Sequence, residues 1–355
     1  MELLRLFLLP FTLLYGFVIR IRNAMFNIGI LRSVTYDIPM ISVGNLSAGG
    51  TGKTPHVEYL VRLLSDNFLV ATLSRGYGRK TRGFMLAGSE DNSGTIGDEP
   101  LQYFHKFKNL IVCTDENRRR GVVKLMKKYS DLDIIILDDA YQHRFVKPGL
   151  SVLLTDYHKL YSDDYLLPYG TLREHSFNAK RADLIIVTKT PSVLSPIERQ
   201  QIISDLNPSA RQIVLFSFIK YSIIRSLWNR DETKDINSHA GVILLVAGIA
   251  NPYPLEYELR KNCNDLIVMR FNDHHIYTSE DIERIKSNYS DIYTRNKLLV
   301  TTEKDAMRLK NPAIIKLAEE LPFYYVPMEI QFHEKDKNLF DETIINYVRK
   351  NKRKR

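Results

Sequence analysis

The chain has 355 residues, 44% of them hydrophobic and 26% charged, which is the composition of a folded globular protein and too long for a single small core. It carries a formal +9, but six of the cations crowd its last seven residues (Arg349–Arg355), and no nucleic-acid-binding motif stands behind that charge. The two cysteines, Cys113 and Cys263, form no CxxC pair and no metal-ligand spacing, which excludes a disulfide framework and structural zinc and fits a reducing compartment.

The first element is "LFLLPFTLLYGFVI" (6–19), almost wholly apolar and flanked by Arg5, Arg20 and Arg22. It is shorter than the ~18–20 residues that span a bilayer, Pro10 interrupts it, and no small-residue cleavage site follows. It reads as a helix lying in a membrane interface with arginines at headgroup level; a core helix and a signal or spanning segment are the alternatives. The basic tail reads either as a solvated end or as a segment drawn to anionic headgroups.

From residue 39 onward, short Val/Ile/Leu runs alternate with helical patterns. Strands are predicted near 39–44, 68–73, 109–113, 133–138, 150–155, 183–188 and 211–218, and helices over 53–66, 98–107, 117–129 and 195–206. Continuous apolar strands separated by helices imply a parallel sheet covered on both faces, with ligands at the carboxyl ends of its strands. Residues 219–237 break the rhythm and read as a connector. A second set of strands follows near 241–247, 265–271, 296–302 and 322–327. The fold class is therefore α/β: a P-loop NTPase-like parallel core with helices on both faces, a smaller α/β C-terminal domain, and a hydrophobic N-terminal helix. The expected division is 1–30 for the membrane-interface helix, 31–217 for the core, 218–238 for the linker, and 239–355 for the smaller domain with its basic tail.

Within the first set, "SVGNLSAGGTGKTP" (42–55) lies between a strand and a helix, the context a phosphate-binding loop requires. Gly49, Gly50 and Gly52 allow close backbone approach to phosphate oxygens, and Thr51 and Pro55 complete the cradle. Lys53 supplies a cation to the β/γ-phosphates and Thr54 a hydroxyl for Mg²⁺. Ser47 stands where the strict pattern has its first glycine. Pro55 is tolerated because a helix's first turn has spare N–H groups. "DIIILDDAYQH" brings Asp138 and Asp139 to the sheet's carboxyl edge; one suits the metal, and the other faces elsewhere, toward an acceptor.

Other segments hold candidate acceptor and acid–base groups. "LSRGYGRKTRGF" places Arg75 and Tyr77 in a basic, glycine-rich loop after a strand, suited to an anionic acceptor or to packing on a sugar or lipid; a solvated loop is the alternative. "TIGDEPLQYF" puts Asp98 and Glu99 at a helix start, as caps or as acid–base groups. Residues 156–180 form a long loop in which Arg173 and Glu174 could bind sugar hydroxyls or a phosphate. "RFNDHHIYTSEDIERI" presents Asp273, His274 and His275 before a helix that Thr278 or Ser279 caps, and a His–carboxylate pair suits removal of a hydroxyl proton. "TTEKDAMRL" (301–309) echoes a guanine-recognition box but reads more plainly as a helix start.

Taken together, "VGNLSAGGTGKTP", "LSRGYGR", "GDEP", "LDDAYQH", "LPYGTLRE", "FNDHH" and "TTEKDA", in order between residues 43 and 306, resemble the lipid A tetraacyldisaccharide 4′-kinases. Ala140-Tyr141, Tyr169 and Thr171 depart from the commoner form of these motifs. The resemblance implies an ATP-dependent, Mg²⁺-requiring kinase at the cytoplasmic face of a Gram-negative inner membrane. Its partners would be the membrane surface and an acylated glucosamine disaccharide phosphate lipid, phosphorylated on the 4′-hydroxyl. It also implies that Asp98 and His274 form the acid–base dyad, that Asp138 and Asp139 serve the metal and the active-site network, and that Gln142, His143, Arg173 and Glu174 lie near the acceptor. A two-stranded linker is implied as well, with "YYVPMEIQF" as the returning strand. The alternative function is a P-loop nucleotide-dependent switch or metallochaperone-type NTPase without a lipid acceptor.

Overall fold

The structure is a computed structural model and describes residues 7–221, 223–229, 231–273 and 275–352. Its strands are β1 (Met40–Asn45), β2 (Val70–Ser74), β3 (Met85–Leu86), β4 (Ile111–Thr114), β5 (Ile134–Asp138), β6 (Leu150–Asp156), β7 (Leu184–Thr188), β8 (Ile213–Lys220), β9 (Ile223–Ser226), β10 (Thr233–Asp235), β11 (Ala240–Ala247), β12 (Cys263–Arg270), β13 (Lys297–Thr302), β14 (Phe323–Val326) and β15 (Glu329–Phe332). They form two sheets, ordered β15-β8-β7-β6-β1-β5-β2-β4-β3 and β10-β9-β14-β13-β11-β12.

Seven strands of the first sheet, β8 through β4, run parallel, and β3 and β15 close its two edges antiparallel. The apolar runs are continuous because both faces are covered. Along β5, Ile134 and Ile136 pack with Val57, Leu60 and Val61 of the helix Lys53–Ser65 and with Phe340 and Ile344 of the helix Glu334–Asn351. Ile135 and Leu137 point the other way, toward Val122 and Leu125 of the helix Arg118–Lys128. Further along that second face, Leu153, Ile185 and Phe216 meet Ile202 and Leu206 of the helix Pro196–Leu206. Side chains alternating along each strand thus divide between two helical layers.

The second sheet is parallel from β12 to β14, with β9 and β10 added antiparallel. The connector expected at 219–237 therefore contains two short strands and belongs largely to this sheet. Chain passage between the sheets occurs through β8 and β15, which pair antiparallel with Ile219 opposite Ile330. β15 belongs to the first sheet and the helix Glu334–Asn351 packs on it, within the range 239–355 that sequence reasoning gave to the smaller domain. Phe340, Ile344 and Val348 are fully buried against the first sheet.

The N-terminal helix runs Leu9–Asn27. Gly16, Asn23 and Phe26 are buried against the protein, while Phe11, Leu13, Leu14, Phe17 and Val18 are more than half exposed. Among the described residues no helix is long and apolar enough to cross a membrane.

Candidate active site

β1 delivers the chain to the phosphate-binding loop. Gly49 and Gly52 have φ of 126° and 84°, conformations that only glycine adopts without strain. A Cβ on Gly49 or Gly50 would meet nothing within 4 Å, so the space beside them is open. The buried Thr51 hydroxyl has no hydrogen-bond partner in the protein, while the Thr51 carbonyl accepts from the Thr188 hydroxyl at 3.0 Å. A loop with open flanks and an orphaned donor fits a polyanion. Ser47 needs no glycine: it pairs antiparallel with Leu172, and Ala48 N donates to the Thr171 carbonyl at 2.6 Å. The long 156–180 loop is thus a brace for the phosphate loop. Pro55 sits in the first helical turn, where no backbone donor is needed.

Lys53 lies at the centre of the site. Its Nζ donates to Asn45 Oδ1 at 3.2 Å and is 3.5 Å from Asp139 Oδ1. Arg173 Nη1 approaches Asp139 Oδ2 at 3.2 Å from the other side. Burial pushes the Asp139 carboxyl up, but Lys53 and Arg173 together hold it below the usual carboxylate range. Asp139 has φ 49°, a left-handed turn that separates its side chain from that of Asp138. Arg118, itself buried, braces this turn through Nη2 to the Asp138 carbonyl at 3.2 Å.

Asp138 faces inward. Burial, with the nearby charges of Asp139 and Glu99, raises its carboxyl to about 6. Tyr103 donates its hydroxyl to Asp138 Oδ2 at 3.1 Å and is also hydrogen-bonded to the Thr54 side chain. The two expected metal ligands therefore share one tyrosine. A carboxylate and a hydroxyl beside a phosphate cradle are the hard oxygen donors that Mg²⁺ takes, with its remaining positions left to phosphate and water. Among the described residues no group of three or more His, Cys, Asp and Glu forms a separate metal cage.

The acceptor candidates lie in different surroundings. Gln142 Nε2 donates to the Asn45 carbonyl at 2.7 Å, one residue from the loop. His143 borders a cavity of about 310 Å³ with Glu116, Asn117, Arg119 and Phe145, and its Nδ1 has no partner. Burial, helped by Arg118, lowers the His143 imidazole to about 4, so it is neutral at physiological pH. Arg75 and Tyr77 are exposed, and the Arg75 charge acts on both Arg118 and His143. Glu174 is fully buried, with Oε2 taken by Arg181 at 2.9 Å and Asn23 at 3.1 Å, so it ties down the N-terminal helix, while its Oε1 has no partner.

Asp98 opens the helix Asp98–Lys106 behind Gly97, which has φ 96°. Its carboxylate pairs with Arg308 Nη2 at 2.9 Å, and Glu99 pairs with Lys304 at 2.8 Å. "TTEKDAMRL" is thus a capped helix start, Thr302 accepting from Asp305 N, whose cations clasp the acids of "GDEP" across the two sheets. A cavity of about 320 Å³ opens beside this clasp, bordered by Lys80 and Thr95 from one side and Tyr277 and Arg308 from the other. His274 lies outside the described residues. Its neighbour His275 pairs with Asp281 at 2.8 Å, inside the capping box that Thr278 and Asp281 form for the next helix.

Residues 4–348 match the family described as tetraacyldisaccharide-1-P 4′-kinase. The chain belongs to this family. It is 44% identical to the tetraacyldisaccharide 4′-kinase of Flavobacterium johnsoniae, covering 99% of each chain, and 43% identical to that of Bacteroides thetaiotaomicron, covering 98% of this chain and 94% of the other. Its fold is similar to that of the "apo" form of LpxK from Aquifex aeolicus in complex with ATP, with a TM-score of 0.72 and 26% identity over 97% of this chain and 99% of that one. The protein is a phosphotransferase that acts on a hydroxyl group, and the alternative of a nucleotide-dependent switch is not favoured.

Sequence reasoning missed several groups around the kinase's loop. Asn45 ends β1 and holds Lys53; its position directly before the loop was the available signal. Tyr103 lies in "DEPLQYF" as one apolar-looking helix residue among others, and nothing local marks it. Arg308 is separated from Asp98 by 210 residues, beyond the reach of spacing arguments.

Proposed function

We propose that this kinase transfers the γ-phosphoryl group of ATP to the 4′-hydroxyl of a tetraacyl disaccharide 1-phosphate, a lipid A precursor, at the cytoplasmic face of the inner membrane. The new bond joins the sugar oxygen to phosphorus, the bond from phosphorus to the β–γ bridging oxygen breaks, and ADP leaves with that electron pair. Gly49 to Thr54 cradle the phosphates, and Lys53 neutralises charge that grows on the transferring group. Thr54 and Asp138 would hold Mg²⁺, which when bound supplies a further positive charge to the phosphate oxygens. Asp139, with Arg173, keeps Lys53 directed along the sheet edge. Asp98 and His274 take the hydroxyl proton, and Arg308 keeps the Asp98 carboxylate fixed. Arg75, Tyr77, Gln142 and His143 border the acceptor.

One observation carries the lipid part of this reading. The helix that exposes Phe11, Leu14 and Phe17 to the outside docks on the same 165–175 loop that braces the phosphate loop and sends Arg173 to Asp139. The apolar face of that helix supports the reading that a bilayer interface lies next to a triphosphate cradle. The test is incubation of the purified protein with γ-labelled ATP, Mg²⁺ and an acylated glucosamine disaccharide 1-phosphate in mixed micelles. Label should enter the lipid fraction. Label that goes only to inorganic phosphate, with none in lipid, would contradict the proposal.

A further inference from the structure

The N-terminal helix has a second face whose contacts are polar and specific. Tyr15 donates its hydroxyl to the Arg173 carbonyl at 2.8 Å, and Arg22 Nη2 donates to the Gln142 carbonyl at 3.0 Å. Tyr169 N donates to the Thr12 hydroxyl at 3.1 Å, Asn23 to buried Glu174, and Arg144 to the Asn23 carbonyl at 3.0 Å. Gly16 lets the helix sit close: a Cβ there would lie 2.8 Å from Leu166 Cδ1.

Two of these contacts continue to the same atom. From Tyr15 the path runs through Arg173, whose guanidinium holds Asp139, to Lys53 Nζ. From Arg22 it runs through Gln142, whose Nε2 donates to the Asn45 carbonyl, and from the Asn45 side chain again to Lys53 Nζ. An interface helix needs only an apolar outer face and flanking cations. Nothing in membrane attachment calls for paired hydrogen-bond relays that end on the phosphate-loop lysine.

We propose that Tyr15 and Arg22 are positioning residues for Lys53, so that the helix read as a lipid-facing element is also part of the scaffold that sets the geometry of phosphoryl transfer. This rests on the reading that Lys53 meets the transferring phosphates. A misdirected ammonium weakens an interaction made chiefly in the transition state, so kcat falls while nucleotide affinity holds.

The test uses the full-length protein with acceptor dispersed in detergent, and measures kcat, KM for ATP, and co-sedimentation with anionic phospholipid vesicles. Tyr15→Phe combined with Arg22→Met removes both relays and keeps the apolar bulk and the exposed Arg20, Arg22 being turned to the Gln142 carbonyl and not to a headgroup. The expected result is a kcat reduced about tenfold or more, with KM for ATP within about threefold and vesicle binding retained. Gly16→Ala should lower kcat by crowding Leu166, and adding Leu166→Ala should restore it, which a general loss of folding would not do. A kcat within about twofold of wild type in the Tyr15/Arg22 variant, or a Gly16→Ala defect that Leu166→Ala leaves unrelieved, overturns the proposal. Full turnover in Lys53→Ala would instead overturn the underlying reading of Lys53, so the two failures are distinguishable.

Discussion

Replacing Lys53 with alanine removes the one ammonium group that lies between Asn45 Oδ1 and Asp139 Oδ1, at 3.2 and 3.5 Å. The effect on folding should be small. The Lys53 and Asp139 side chains are 17% and 35% exposed, and Asp139 keeps Arg173 at 3.2 Å, so the lost pair is worth about 1 kcal/mol or less. Catalysis should suffer far more. A fixed charge aimed at developing phosphoryl charge typically contributes about 3–4 kcal/mol, or 10²–10³ in kcat. Losing Lys53 also weakens the hold that keeps Asp139 below its ordinary range, leaving Arg173 to maintain it. The measurement is steady-state kcat with saturating acceptor, alongside urea denaturation of the same preparation. The account expects a loss of two to three orders of magnitude with an almost unchanged unfolding midpoint. A variant that turns over within about threefold of wild type would refute the reasoning, because the loop would then not be using its lysine on the transferring group.

Three further outcomes are expected. Tyr103→Phe, which deletes the hydroxyl shared by Asp138 and Thr54, should raise the Mg²⁺ concentration for half-maximal activity and for nucleotide-induced fluorescence change about tenfold; an unchanged Mg²⁺ dependence would count against the paired-ligand assignment. Arg308→Ala removes the guanidinium between Asp98 and fully buried Asp305 and should cost about 3–5 kcal/mol in chemical denaturation; a cost below about 1 kcal/mol would show that the clasp between the sheets contributes little. His56 is buried, and desolvation lowers its imidazole from 6.5 to about 4. The unfolded chain therefore binds more protons between those values, and stability is full above pH 6.5 and falls as pH drops toward 4. At pH 5 the loss is about 2 kcal/mol. Glu58, raised by burial to about 7, works in the opposite direction, so His56→Gln must be compared with wild type at pH 7 and pH 5. The variant should lose less stability on acidification, and equal losses would contradict the assignment.

Where burial on both faces imposed continuous apolar runs, the sequence was readable. β5 and β6 emerged because "DIIILDD" and "LSVLLTD" have no polar side to hide, and the phosphate loop emerged because its glycines sit between a strand and a helix. β9 and β10 did not, and β15 was available only through the family resemblance, as the returning strand in "YYVPMEIQF". They are three or four residues long, and "TKD" at an edge carries charge that marks no strand. The return of Glu334–Asn351 to the first sheet depends on β15 pairing with β8, more than a hundred residues earlier, which local patterning does not encode. Site residues followed the same division. That Lys53, Asp138, Asp139 and Arg173 lie near one another was legible because strand ends and a long loop converge on one sheet edge. Glu174 was read as an acceptor group from its place beside Arg173 in the long 156–180 loop, and its burial was not legible there. Its burial is set by Arg181 and by Asn23 from the N-terminal helix, 151 positions away.

The central claim is that the phosphate loop serves the distal sugar of a membrane-borne disaccharide. Tandem mass spectrometry of the lipid recovered after incubation with ATP and a tetraacylated glucosamine disaccharide 1-phosphate addresses it most directly. The account predicts one added phosphate, on the non-reducing glucosamine at its 4′ position, and none from Lys53→Ala. A product phosphorylated elsewhere, or an unmodified lipid recovered while ATP is consumed, would contradict it.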